Sequence, residues 1–127
     1  TIETIPLKHK VPTCGFLFTE HHRDKEPRKR YAYCSDTAYR EQIVEQIAGV
    51  EVLFHEATYT EKDADKCKKH THSTAKQAAQ IAKLAGAGKL VIGHFSARED
   101  DHQVFLNEAR EVFENTVLAV EKETIEL

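Results

Sequence analysis

No apolar run in this chain approaches the roughly 18 residues that suggest a membrane span, and no charged-then-apolar leader pattern opens it. No membrane partner is therefore expected. Cysteine is scarce: Cys14, Cys34 and Cys67 form an odd, scattered set without a Cys-x-x-Cys pair. That excludes a disulfide framework and a zinc finger, and makes a reducing, cytoplasmic setting the expectation. Basic excess is missing too. Lys and Arg number 18 against 21 Asp and Glu, a formal net charge of −3. A generic nucleic-acid coat would be strongly basic, although an enzyme gripping RNA through a local patch is not excluded. No internal repeat is present, and the first residue is Thr1 rather than Met, as in a processed chain or a fragment.

What remains is ordinary globular composition. With 127 residues, 40% hydrophobic and 31% charged, the chain is expected to form one domain, 1–127, with a real core. Apolar spacing predicts strands over 13–19, 30–35, 50–54, 89–92, 116–120 and 123–127. Gly15 in the first of these marks a bulge or a close backbone approach. An amphipathic helix is predicted over 38–48, with Ile43, Val44 and Ile47 on one face and Gly49 as its stop. A second starts at Thr74, with Gln77 closing a capping box, and runs through Ala78, Ile81, Ala82 and Leu84 until Gly86 and Gly88. Asp100 or Asp101 caps a third, with Phe105, Ala109, Val112 and Phe113 along one face. The stretch 21–30 reads as a charged loop, and 60–69 as a polar loop or short helix. This alternation is an α/β layered arrangement.

Four polar clusters stand at the ends of apolar runs: Cys34-Ser35-Asp36-Thr37, His55-Glu56-Ala57-Thr58, His72-Ser73-Thr74 and Gly93-His94-Phe95-Ser96. In open α/β sheets that edge collects ligands and chemistry. Asp36 reads as a helix N-cap or as a carboxylate whose two oxygens bridge two cations. His94 reads as a hydrogen-bonded sheet-edge histidine or as a zinc ligand. Glu56 and His72 read as a structural contact or as a histidine oriented by a carboxylate for proton transfer. His70 and His72 form a His-x-His pair without further ligands of matching spacing. His9, taken alone, is a surface histidine.

Together these motifs resemble the ribonuclease Z family of tRNA 3′-processing endonucleases, in the metallo-β-lactamase superfamily. His55-Glu56-Ala57-Thr58 and the following His72-Ser73-Thr74 are similar to that branch's HEAT and HST motifs, and Ser35-Asp36-Thr37 and Gly93-His94-Phe95-Ser96 to wider superfamily motifs. His9 ahead of Gly15-Phe16 falls where the family has a ligand histidine. The resemblance implies one half, the C-terminal one, of an αββα sandwich and a two-zinc phosphodiesterase acting on precursor tRNA as a homodimer. His9 and His94 would each serve one zinc and Asp36 would bridge both. His72, positioned by Glu56, would protonate the departing 3′ oxygen or touch the scissile phosphate. Arg98, Ser73 and Thr74, with the Lys66/Lys68/Lys69 cluster, would contact RNA.

The chain also departs from the family. The H-x-H-x-D-H cluster that supplies most zinc ligands is absent, 21–30 is too short for the tRNA-binding arm, and Glu99 follows Arg98 where the family has Tyr. The isolated chain is accordingly expected to be inactive. A non-catalytic folding or dimerisation fragment, or another hydrolase of the same superfold, are the competing expectations.

Overall fold

A computed structural model describes residues 1–21 and 28–127; residues 22–27, inside the expected charged loop, lie outside the described residues. Among the described residues six strands form one sheet in chain order: β1 (Ile2–Pro6), β2 (Cys14–Thr19), β3 (Arg30–Cys34), β4 (Val52–Glu56), β5 (Lys89–Gly93) and β6 (Thr116–Leu118). The first three pair antiparallel and the last four run parallel, so β3 belongs to both sets. Gly15 is the close approach its position implied. A Cβ there would run into the Tyr33 backbone carbonyl of the neighbouring strand.

Three α-helices among the described residues accompany the sheet: α1 (Ala64–His70), α2 (Ala75–Ala85) and α3 (Gln103–Arg110). The start of α2 has the expected capping box, in which Thr74 accepts from the Gln77 backbone N–H and the Gln77 side chain accepts from the Thr74 N–H. Gly86 ends the helix at φ 64°, a left-handed conformation that glycine adopts without a Cβ clash. Asp101 accepts the Gln103 N–H at 3.0 Å at the start of α3.

Three expectations are corrected. The 38–48 segment is no α-helix but one 3-10 turn, Glu41–Ile43, followed by turns to Gly49. The β-branched Ile43, Val44 and Ile47 disfavour a helix, while fully burying Ile43 and Ile47 fixes the path. Residues 123–127 form no strand, and α3 stops before Val112 and Phe113, which still pack on the core. Strand β1 was not anticipated. It is an edge strand that ends at Pro6, and only one of its side chains, Ile5, is buried.

The helices cover one face of the sheet. Ile5, Leu17, Ala32, Leu53, Leu90 and Ile92 meet Ala78, Ile81 and Ala82 of α2 and Phe105 and Ala109 of α3 in a single buried cluster. The opposite face is aromatic. Tyr33 stacks on Phe54 at 4.8 Å and Phe18 on Tyr31 at 5.7 Å, and Phe16, Phe18 and Tyr33 remain more than a third exposed.

Candidate active site

Parallel register brings the site together. Cys34 pairs with His55 and Glu56 with Gly93, so the C-terminal ends of β3, β4 and β5 lie side by side. Asp36, Glu56 and His94 therefore emerge at one sheet edge, and the loop between α1 and α2 adds His72. One ligand atom from each of these four lies within 4.8 Å of the others.

Glu56 is the hub. Although fully buried, its carboxylate meets five donors. Oε1 accepts from the Thr37 N–H at 2.8 Å and His72 Nδ1 at 2.6 Å. Oε2 accepts from the Ser73 N–H at 3.1 Å, the Thr58 N–H at 3.3 Å and the Thr58 hydroxyl at 2.6 Å. A buried charge needs such saturation. The bond to Nδ1 fixes the His72 tautomer, which leaves Nε2 for chemistry.

Thr58 does a second job. Its one proton goes to Glu56, so its oxygen accepts from His94 Nδ1 at 3.1 Å. His94 then points Nε2 at Asp36 Oδ1, 3.3 Å away. A protonated ring makes this an ion pair, and a neutral one sets two acceptors face to face, an arrangement that calls for a cation between or beside them. His94 adopts φ 61°, uncommon for a non-glycine residue and a local strain that aims its ring at Asp36.

His9 stands outside the four-residue group. Its ring lies 5.3 Å from that of His72, and Nδ1 donates to the Thr71 carbonyl at 3.0 Å. Thr71 itself holds φ 55° at the end of α1. Ser73 and Thr74 are fully buried and their hydroxyls are used internally, on the Thr37 carbonyl and the Gln77 N–H, so neither is offered to a substrate. Arg98 does reach the open side. It lines a cleft of about 820 Å³ with His9, Lys10, Tyr59, Lys69 and His72. Burial, then the charges of Lys10 and Lys69, hold the His70 imidazole beside it below its ordinary value. Thr58, Thr71 and Tyr59 were not singled out from the sequence, although Thr58 lies inside the His-Glu-Ala-Thr run.

Residues 1–95 match the model of the beta-lactamase superfamily domain, and the chain belongs to that family. Ribonuclease Z of Bacteroides fragilis strain YCH46 is 41% identical over 170 residues, which cover 100% of this chain and 56% of that protein. The chain thus spans about half the length of the curated relatives it matches. Since that alignment runs over 170 residues against 127 here, the relative carries residues that this chain lacks. The structure of human tRNase Z, short form, superposes with a TM-score of 0.74 at 28% identity, over 98% of this chain and 42% of that one. The metallo-beta-lactamase fold protein YhfI from Bacillus subtilis gives 0.76 at 23% identity, over 92% and 45%. The fold is that of half a metallo-β-lactamase αββα sandwich, with the helix layer on one face of its sheet.

Proposed function

We propose that this chain is one wall of the active site of a zinc-dependent endoribonuclease that removes 3′ trailers from precursor tRNA and leaves a 3′-hydroxyl. The carrying observation is the approach of His94 Nε2 to Asp36 Oδ1 at 3.3 Å. Two donors on a tetrahedral zinc, each at about 2.0–2.1 Å, stand roughly this far apart. His9 supports the same reading, because a ligating histidine typically gives its second nitrogen to a carbonyl, as Nδ1 does to Thr71. His9, Asp36 and His94 would hold the metal, with Asp36 shared between two ions, and the bound zinc would supply a hydroxide nucleophile and offset charge on the phosphate.

The chain's own proton chemistry rests on His72. Glu56 holds Nδ1–H and stabilises the imidazolium, so Nε2 can deliver a proton to the departing 3′ oxygen. Three ligands cannot complete two zinc sites, since a catalytic zinc takes three protein ligands on its own. The remaining ligands come from outside this sequence, and the isolated chain is inactive. A cytoplasmic homodimer is the form in which the complete enzyme works.

Trailer removal by the complete enzyme, assayed with zinc and with chelator, tests this directly. Asp36→Ala and His94→Ala should abolish both cleavage and zinc retention. His72→Ala should slow cleavage by about 10²–10⁴-fold and leave the zinc content intact. Cleavage that survives Asp36→Ala and His94→Ala would overturn the metal assignment. Tight, stoichiometric zinc in the isolated chain, measured by elemental analysis, would refute the incomplete-site argument.

A further inference from the structure

His55 takes no part in the site described above, although it stands directly before the hub residue Glu56. It is fully buried, and along β4 it follows Leu53 on the helix-covered face. A buried polar ring is costly unless its nitrogens are bonded. Nε2 has no partner among the described residues. Nδ1 lies 2.8 Å from the Glu56 carbonyl oxygen. A carbonyl only accepts, so Nδ1 carries the ring proton and donates it. Burial holds the imidazole below its ordinary value, which keeps the ring neutral and leaves Nε2 bare. The ring is kept for one hydrogen bond.

That bond fills a gap in the sheet. The Ala57 N–H donates to the Gly93 carbonyl at 2.9 Å, so odd-numbered residues here turn their peptide groups toward β5 and Glu56 turns its own toward β3. Strand β3 ends at Cys34, level with His55, and no backbone N–H among the described residues answers the Glu56 carbonyl. The His55 imidazole supplies the missing donor. The planar peptide between Glu56 and Ala57 is thereby held at both ends, its oxygen by His55 and its N–H by Gly93. Glu56 stands at one end of this plane and Thr58 follows at the other. Those two side chains bond each other and aim His72 and His94.

We propose that His55 is a positioning residue, whose Nδ1–H locks the Glu56–Ala57 peptide and so holds the Glu56 carboxylate in line with His72 Nδ1. The use made of that alignment, proton delivery by His72, rests on the endoribonuclease reading; the alignment itself does not.

A pair of variants separates the donor from the bulk of the ring. His55→Asn keeps an N–H at the δ position and loses the rest of the ring, whereas His55→Leu keeps apolar bulk and loses the donor. Circular dichroism would confirm that each is folded. In the 127-residue chain, held in chelator at a pH where the rings are neutral, nitrogen NMR should find His55 and His72 both protonated on Nδ1. His55→Leu should leave His72 as a mixture of tautomers, and His55→Asn should restore the Nδ1 form. In the complete enzyme, His55→Leu should lower kcat for trailer removal by on the order of tenfold, with KM and zinc content unchanged, and His55→Asn should recover most of the loss. A role in packing alone predicts the opposite order, with His55→Asn the worse variant. That order would overturn the proposal, as would a wild-type His72 signature in His55→Leu. So would a His55 ring protonated on Nε2 in the unaltered chain, a result that needs no variant to fold. A shifted His72 tautomer in His55→Leu, with no trailer removal by the unaltered complete enzyme, would support the positioning role while sinking the catalytic reading.

Discussion

Replacing Glu56 with Gln swaps an acceptor-only group for one that is half donor, at a point where five donors converge. The amide can face two ways. With its oxygen toward Thr58 and Ser73, three donors stay matched and the NH₂ meets His72 and the Thr37 N–H. His72 can respond by moving its proton to Nε2 and accepting at Nδ1, but the Thr37 N–H cannot turn away. Thr37 is almost fully buried, so water cannot take over. An unsatisfied buried donor costs about 1–3 kcal/mol. Three charge-assisted bonds reduced to neutral strength add about 0.5–1 kcal/mol each. The expected total is roughly 3–5 kcal/mol, a large share of the 5–15 kcal/mol that a typical domain has. Urea unfolding followed by circular dichroism would measure it. Nitrogen NMR of the His72 ring should also show the proton moved from Nδ1 to Nε2. A Glu56→Gln variant within 1 kcal/mol of wild type, or one retaining the Nδ1 tautomer, would refute the account of Glu56 as the hub.

Three smaller perturbations probe other links. His55 is fully buried, and burial holds its imidazole below the ordinary value, so the unfolded chain binds one proton more below about pH 6.5. Stability should be complete above that pH and fall on acidification by up to about 1.4 kcal/mol per pH unit from this group. His55→Leu should flatten the pH 5–6.5 part of the stability curve, and an unchanged slope there would count against a neutral buried His55. Thr74→Ala removes the capping box and should cost about 1 kcal/mol in urea melts, most of it restored by Thr74→Ser. Gly15→Ala drives a methyl into the Tyr33 carbonyl and should destabilise by about 1–3 kcal/mol, and a neutral result would disprove the tight β2–β3 approach.

The parts of this structure that local chemistry decides are legible in the sequence. Thr74, Gln77 and Gly86 bracket α2 through caps that depend only on neighbours in sequence, and the apolar runs before Glu56 and His94 could hardly be anything but buried strands. The 38–48 segment misled because its apolar spacing satisfies a helix while its β-branched residues and its short passage from β3 to β4 do not. Strand β1 was invisible because one buried residue, Ile5, makes no alternation. At the site, the positions of Asp36, Glu56 and His94 were readable from their place at strand ends, and that of His72 from the head of the Ala-rich helix. The Thr58–His94 hydrogen bond and the hold of Thr71 on His9 were not, since both join residues at least 36 positions apart. Ser73 and Thr74 illustrate the converse. Their types suit a phosphate, but the fold buries them.

The aromatic face of the sheet carries a thermodynamic consequence. Phe16, Phe18 and Tyr33 lie on a sheet face that no helix among the described residues covers, and the irregular residues Val120, Ile125 and Leu127 edge a groove there of about 380 Å³. Soluble monomers rarely leave so continuous an apolar surface to water. Any cover binds the folded sheet and not the unfolded strands, so folding and association are coupled by mass action. Where a partner covers this face, the midpoint of thermal unfolding becomes a property of concentration as well as of sequence.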